Sequence, residues 1–183
     1  GNPYIVEKLL DRFVIDLNTN KSYNGTPLSV ACERGNLEVV NFLLKSPEIL
    51  LHDKGSRYFP NFDVPSSAAR CDKPEIIKSI IADPRMDFSF YSNHSNPPIQ
   101  VAARFEHVDV VKELLQLKDM DLNSRDNYKK ISLLDSIVAG GYIKVLAPVL
   151  EDERVKPESI LDNVYTTFPQ NAFLQAIYNG YSD

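Results

Sequence analysis

Three histidines, two cysteines and a few closely spaced carboxylates are the residues of this 183-residue chain whose types could do chemistry. His52, His94 and His107 stand apart, and none has a His or Cys neighbour at the spacing of a zinc ligand set. Cys32 and Cys71 lie in helical patterns, and Cys32 takes a small-residue position that reads as core packing, not as a nucleophile. Asp83 and Asp87 could be imagined as an acid/base couple, but turn formers flank them, and Glu151-Asp-Glu153 reads as a solvated helix end. The chain has no Gly-x-Gly-x-x-Gly, no phosphate-binding Gly-Lys-Ser/Thr and no Gly-x-Ser-x-Gly. The expectation is a non-enzyme with no catalytic residue, no metal and no cofactor.

Bulk properties narrow the partners. The chain is 43% hydrophobic and 25% charged, ordinary for a globular protein, with a net charge of −5. Its isoelectric point near 5.2 argues against a nucleic-acid or anionic-membrane surface, which needs clustered basic charge. No apolar run approaches the roughly 18–20 residues that span a bilayer. Two cysteines suit a reducing compartment, so the expected location is intracellular, cytoplasmic or nuclear. The numbering can also begin inside a larger parent protein.

The organising feature is a recurrence. Gly35-Asn-Leu-Glu-Val-Val-Asn-Phe-Leu-Leu44 returns in altered form as Gly1–Leu10, Asp72–Ile81, Glu106–Leu115 and Gly141–Leu150, at steps of 34, 37, 34 and 35 residues. Such a period means stacked units. In each copy two apolar pairs sit four residues apart, as in Val39-Val40 and Leu43-Leu44, which places them on one face of a helix. Pro47 and Pro84 stop the helices they follow. Upstream of each copy runs a shorter helical pattern, clearest in Thr26-Pro-Leu-Ser-Val-Ala-Cys-Glu-Arg-Gly35. Thr26 suits a helix N-cap, Pro27 the first helical position, and Ala31 and Cys32 allow close approach of a neighbour. Matching stretches are 64–70, 98–104, 133–139 and 172–178. The expected helix pairs are 27–34 with 37–46, 65–70 with 74–82, 98–105 with 108–116, and 133–139 with 142–150.

Thr26-Pro27-Leu28, Ala31, Gly35, the paired aliphatics and Asp16-Leu17-Asn18 resemble the ankyrin repeat. That family's unit is a β-turn finger followed by two antiparallel helices. The resemblance covers nearly the whole chain and is strongest at 15–51 and 86–122. Ser29 and Gln100 depart from it, standing where the family usually has His. The segment 51–62 carries three extra residues, and 151–171 is longer by about a helical turn, with an inserted short helix expected at Lys156–Asn163. The implied fold is an all-α solenoid of about five stacked helix-turn-helix units with half-repeats at both ends. It forms a single domain over 1–183 with units near 1–19, 20–56, 57–91, 92–125, 126–160 and 161–183. Phe173, Leu174 and Ile177, on a first helix without a second, are expected to leave an exposed apolar patch or to meet another chain or residues beyond the given sequence.

The resemblance also implies a function: binding another protein in the concave groove formed by fingers and first helices. Carrying the family's variable contact positions onto this chain gives Ser22, Tyr23, Glu33 and Arg34, then Phe59, Phe62 and Arg70. They continue with Asn93, His94, Arg104 and Phe105, then Tyr128 and Lys129, and last Phe168 and Tyr178. His107 takes a place where the family has a structural His. Arg34, Arg70 and Arg104 recur at nearly the same place in three units, an expected ladder of roughly 10 Å steps at helix-packing distance. Guanidinium groups beside aromatics suit an acidic or phosphorylated segment. The competing readings are a substrate-recruiting or regulatory segment of a larger enzyme, and a structural spacer. Against the ladder stands a plain alternative, that arginines at helix ends only cap carbonyls or pair with a neighbouring Glu.

Overall fold

The computed structural model describes residues 2–19, 25–51, 63–86, 96–123, 132–155 and 180. Among these, nine helices and no strand are formed: α1 Pro3–Arg12, α2 Pro27–Glu33, α3 Leu37–Leu44, α4 Val64–Ala69, α5 Pro74–Ile81, α6 Pro98–Arg104, α7 Val108–Leu115, α8 Leu133–Gly140 and α9 Ile143–Leu150. Each helix end falls within about two residues of its expected place, the usual scatter of helix boundaries.

Local chemistry starts these helices. The Thr26 hydroxyl accepts the Ser29 N–H at 3.3 Å, and Pro27 opens α2. An Asp63 carboxylate oxygen accepts the Ser66 N–H at 2.7 Å at the head of α4. Ser132 and Asp135 form a reciprocal capping box on α8. The α6 start has no side-chain cap; Pro97 and Pro98 supply the fixed φ instead.

The short helices stack in one row, α2 on α4 on α6 on α8, and the longer ones in a second, α1 on α3 on α5 on α7 on α9. Within a unit α2 packs on α3, α4 on α5, α6 on α7 and α8 on α9. One continuous core runs between the rows, built on Val39, Val40 and Leu43, Ile76, Ile77 and Ile80, Val110, Val111 and Leu114, Val145 and Val149. The facing row supplies buried small residues, Ala31 and Cys32, Ala68 and Ala69, Ala102 and Ala103, which let the rows approach closely. Burial also pushes the Cys32 thiol pKa up, so it stays protonated and inert.

Two carboxylates do more than the turn and helix-end roles expected of them. Asp83 accepts from Nε and Nη2 of Arg85 at 2.9 and 2.7 Å, and Arg85 reaches back to the Leu44 and Ser46 carbonyls at 2.8 and 2.9 Å. Asp152 and Arg154 repeat this two units further on: Arg154 donates to the Leu115 and Leu117 carbonyls, both at 2.6 Å. Thus Asp83 is half of an inter-unit clasp, in keeping with the rejected acid/base reading, and within the run Glu151-Asp-Glu153, whose glutamates are exposed, Asp152 alone is turned to a partner among the described residues. Each clasp brings a guanidinium donor to carbonyls at the end of an outer helix; Ser46 and Leu117 also accept the Ile49 and Met120 N–H. Asn18 and Asn123 tie units in the same way, donating to the Glu48 and Arg154 carbonyls at 2.8 and 2.7 Å. The expected helix at 156–163, the enlarged finger at 52–62 and the apolar set Phe173, Leu174 and Ile177 lie outside the described residues.

Candidate partner-binding face

At the ends of the inner helices the chain turns sharply into the outer row. Gly35 and Gly141 make this turn with φ of 70° and 67°, the left-handed region where glycine carries no steric cost. Glu106 stands at the matching position with φ 53°. A non-glycine residue there is strained, and its side chain supplies the compensation. One Glu106 carboxylate oxygen accepts the Lys144 N–H at 3.2 Å, capping α9 of the next unit, and the other lies 3.9 Å from the Lys144 ammonium. Glu106→Ala keeps the strain and removes the cap, so we expect a loss of about 1–2 kcal/mol. Glu106→Gly removes both and should lie closer to the native protein; the order of the two in urea unfolding checks the assignment.

His107 sits beside this turn. Its Nδ1 is 3.2 Å from the Ala69 carbonyl, and since a carbonyl only accepts, Nδ1 carries the proton. Lys73, at the same register, donates to the Gly35 carbonyl at 2.8 Å. Both side chains reach back one unit, so the structural role expected for His107 holds.

Phe105 precedes Glu106 and is 51% exposed. Its ring stacks on the His107 imidazole, with centroids 5.6 Å apart and planes at 20°. The Arg70 guanidinium of the preceding unit lies 6.0 Å from the Phe105 ring centre, at the outer reach of a cation–π contact. Arg34 and Arg104 are exposed and Arg70 is half-buried. Among the described residues none of the three is in an ion pair or donates a side-chain hydrogen bond, in contrast to Arg85 and Arg154.

The register of the ladder differs from the expected one. Arg70 and Arg104 both stand seven residues past the N-cap of their helices, whereas Arg34 stands eight past Thr26. Arg34 therefore matches Phe105, and Glu33 occupies the row of Arg70 and Arg104. The reason is position counted from the helix start: one residue more or less swings a side chain by about 100° around the axis. The structure brings Arg70, Phe105 and His107 together. It places Arg34 and Arg104 at the ends of the neighbouring inner helices. Tyr23, Phe59, Phe62, His94, Tyr128, Lys129 and Tyr178 lie outside the described residues.

The ankyrin-repeat family model matches residues 23–54 and 94–127. A solved structure titled as that of EF0377, an ankyrin repeat protein, superposes on 98% of this chain and 87% of its own, with a TM-score of 0.74 at 18% identity. This chain carries ankyrin repeats at those two stretches, and its fold is that of an ankyrin-repeat solenoid. The two units matched by the family model are those carrying α2–α3 and α6–α7, the same two whose sequence resemblance is strongest. Alpha-latrocrustotoxin-Lt1a of Latrodectus tredecimguttatus is 29% identical over 132 residues, which is 70% of this chain. The chain spans only 9% of that protein's length. Ankyrin repeats serve generally as protein-interaction modules and are typically non-enzymatic. Among the described residues no group of three or more His, Cys, Asp or Glu gathers as a metal site would require, and no helix is long and apolar enough to cross a membrane.

Proposed function

We propose that this ankyrin array binds an acidic segment of a partner protein along the face that carries Arg34, Arg70, Arg104 and Phe105. The observation that supports this reading most is the contrast among the arginines. Arg85 and Arg154 are fully engaged in joining units, while the three on the inner-helix ends hold no carboxylate and no carbonyl among the described residues. In a chain of net charge −5 a basic strip is a local feature and not a bulk property. The half-exposed Phe105 ring, flanked by Arg70 and His107, is the natural anchor, since aromatics and arginine dominate interface hot spots. The residues Tyr23, Phe59, Phe62, His94, Tyr128, Lys129 and Tyr178 complete the proposed surface.

The experiment is capture of a partner with the native chain, followed by titration of that partner against variants. Phe105→Ala should weaken binding by about 2 kcal/mol, and each single Arg→Ala by about 1 kcal/mol or less. Affinity should fall with added salt. Unchanged affinity in the combined Arg34→Glu, Arg70→Glu and Arg104→Glu variant would move the site away from this face.

A further inference from the structure

The bond that fixes His107 in the stack engages only one of its ring nitrogens. Nδ1 donates to the Ala69 carbonyl at 3.2 Å, so in the neutral ring Nε2 carries a lone pair and no proton. The ring is half-buried, and Nε2 has no hydrogen-bond or ion-pair partner among the described residues. The imidazole lies against the Phe105 ring, with centroids 5.6 Å apart, and the Arg70 guanidinium lies 6.0 Å from the centre of that same ring. Imidazole, phenyl ring and guanidinium thus form one group at the proposed anchor.

The other charges near this turn are committed or cationic. On its own segment, Glu106 is taken by the N–H and the ammonium of Lys144 in the following unit, and Asp109 lies 3.9 Å from the Lys112 ammonium. At the matching turn of the preceding unit, Lys73 donates to the Gly35 carbonyl, and Asp72 is exposed and makes no ion pair with His107. Tyr142 stands at the same turn of the following unit and is uncharged at neutral pH. Arg70 and Arg104 remain, and both oppose a further positive charge. A carboxylate arriving from outside reverses that balance. The Nε2 lone pair of the neutral ring repels it, whereas the N–H of an imidazolium binds it together with Arg70. An imidazolium is also drawn to the face of the Phe105 ring.

Resting on the acidic-segment reading above, we propose that His107 is a contact residue of this face and receives a carboxylate of the partner as the imidazolium. Binding then takes up a proton. The bound state holds more protons than the free one, so affinity rises as pH falls through the range where imidazoles charge, between about pH 8 and 5.

The probe is a labelled decapeptide of aspartate, which stays ionised above about pH 6, titrated by fluorescence anisotropy at low salt. The chain carries His52→Gln and His94→Gln, which leaves His107 as its single imidazole. Affinity should rise about fivefold from pH 7.5 to pH 6.0. His107→Asn, whose side-chain amide can still donate to the Ala69 carbonyl, should flatten that dependence and keep the native circular dichroism. At neutral pH, added peptide should shift the His107 ring-nitrogen NMR signals toward the imidazolium, a response that a purely structural histidine does not give. If His107→Asn fails to fold, the ring signals decide alone. A pH dependence retained in His107→Asn, or ring signals unmoved by bound peptide, overturns the proposal and leaves the face standing. No binding of the peptide, or equal binding by the Arg34→Glu, Arg70→Glu and Arg104→Glu chain, removes the face and this proposal with it.

Discussion

Leu114→Ala is expected to lower the unfolding free energy by about 2–5 kcal/mol, the cost of deleting a buried leucine side chain with incomplete collapse of the site. Leu114 is wholly buried in the middle of the stack, in α7, which meets α6 of its own unit, α5 of the preceding unit and α9 of the next. The lesion therefore loosens three interfaces at once. In an array stabilised by neighbour contacts, the amides of α5 and α9 should exchange faster as well as those of α7, while α2 and α3 should change least. Leu115, half-buried on the same helix, is the control, and Leu115→Ala should cost clearly less. Hydrogen exchange with urea unfolding reads both. Equal losses at 114 and 115 would place the apolar face wrongly.

Replacing both clasp arginines, Arg85→Met with Arg154→Met, should cost about 4 kcal/mol, roughly 2 for each. Each removal takes the guanidinium donor from a carboxylate and from two carbonyls or more at the end of an outer helix. The Asp83 side chain is only 10% exposed, so water replaces the guanidinium poorly. A unit separates the two clasps, and their effects should add. Arg→Lys should recover little, because an ammonium cannot bridge a carboxylate and two carbonyls as a planar fork does.

The clasps also have a pH signature. Hydrogen bonding from Arg85 holds the Asp83 carboxyl below its ordinary value of 3.8, against the opposing effect of burial, and Arg154 does the same to Asp152. The folded chain then binds fewer protons than the unfolded one in this range. The stabilisation is fully present above the ordinary carboxylate pKa and is lost as pH falls from about 4 through the lower folded value. Between pH 5 and 3 the native protein should lose more stability than the double variant, which lacks this linkage. Parallel curves for the two proteins would refute the clasp as the source.

Much of the architecture was legible in the residues themselves. Aliphatic pairs at four-residue spacing, repeated at near-constant steps, dictate an outer helix wherever they occur, and Thr26-Pro27 or Ser132 with Asp135 announce an inner one by local chemistry alone. These signals are short-range: a cap is satisfied within four residues, and a helical face is written in consecutive side chains. Stacking follows because no such unit can bury its own apolar face.

What needed the tertiary structure were relations between units. The sequence places Asp83 beside Arg85, but only the fold brings the Leu44 and Ser46 carbonyls to them from some forty residues away. The recurrence Asp83-x-Arg85-Met86 and Asp152-x-Arg154-Val155 was the available signal, and it does not reveal its target. The arginine ladder failed in register for a related reason: spacing counts residues along the chain, whereas a face depends on where each helix starts. Glu106 in place of a glycine is visible in the alignment of units, yet its strain, and the helix N-terminus that compensates it, exist only when the next unit is stacked. Exposure belongs to the same class. Ile5 and Val39 are written by the same pattern, and only the presence of α2 over α3, with none of the described inner helices over α1, makes one a surface and the other a core.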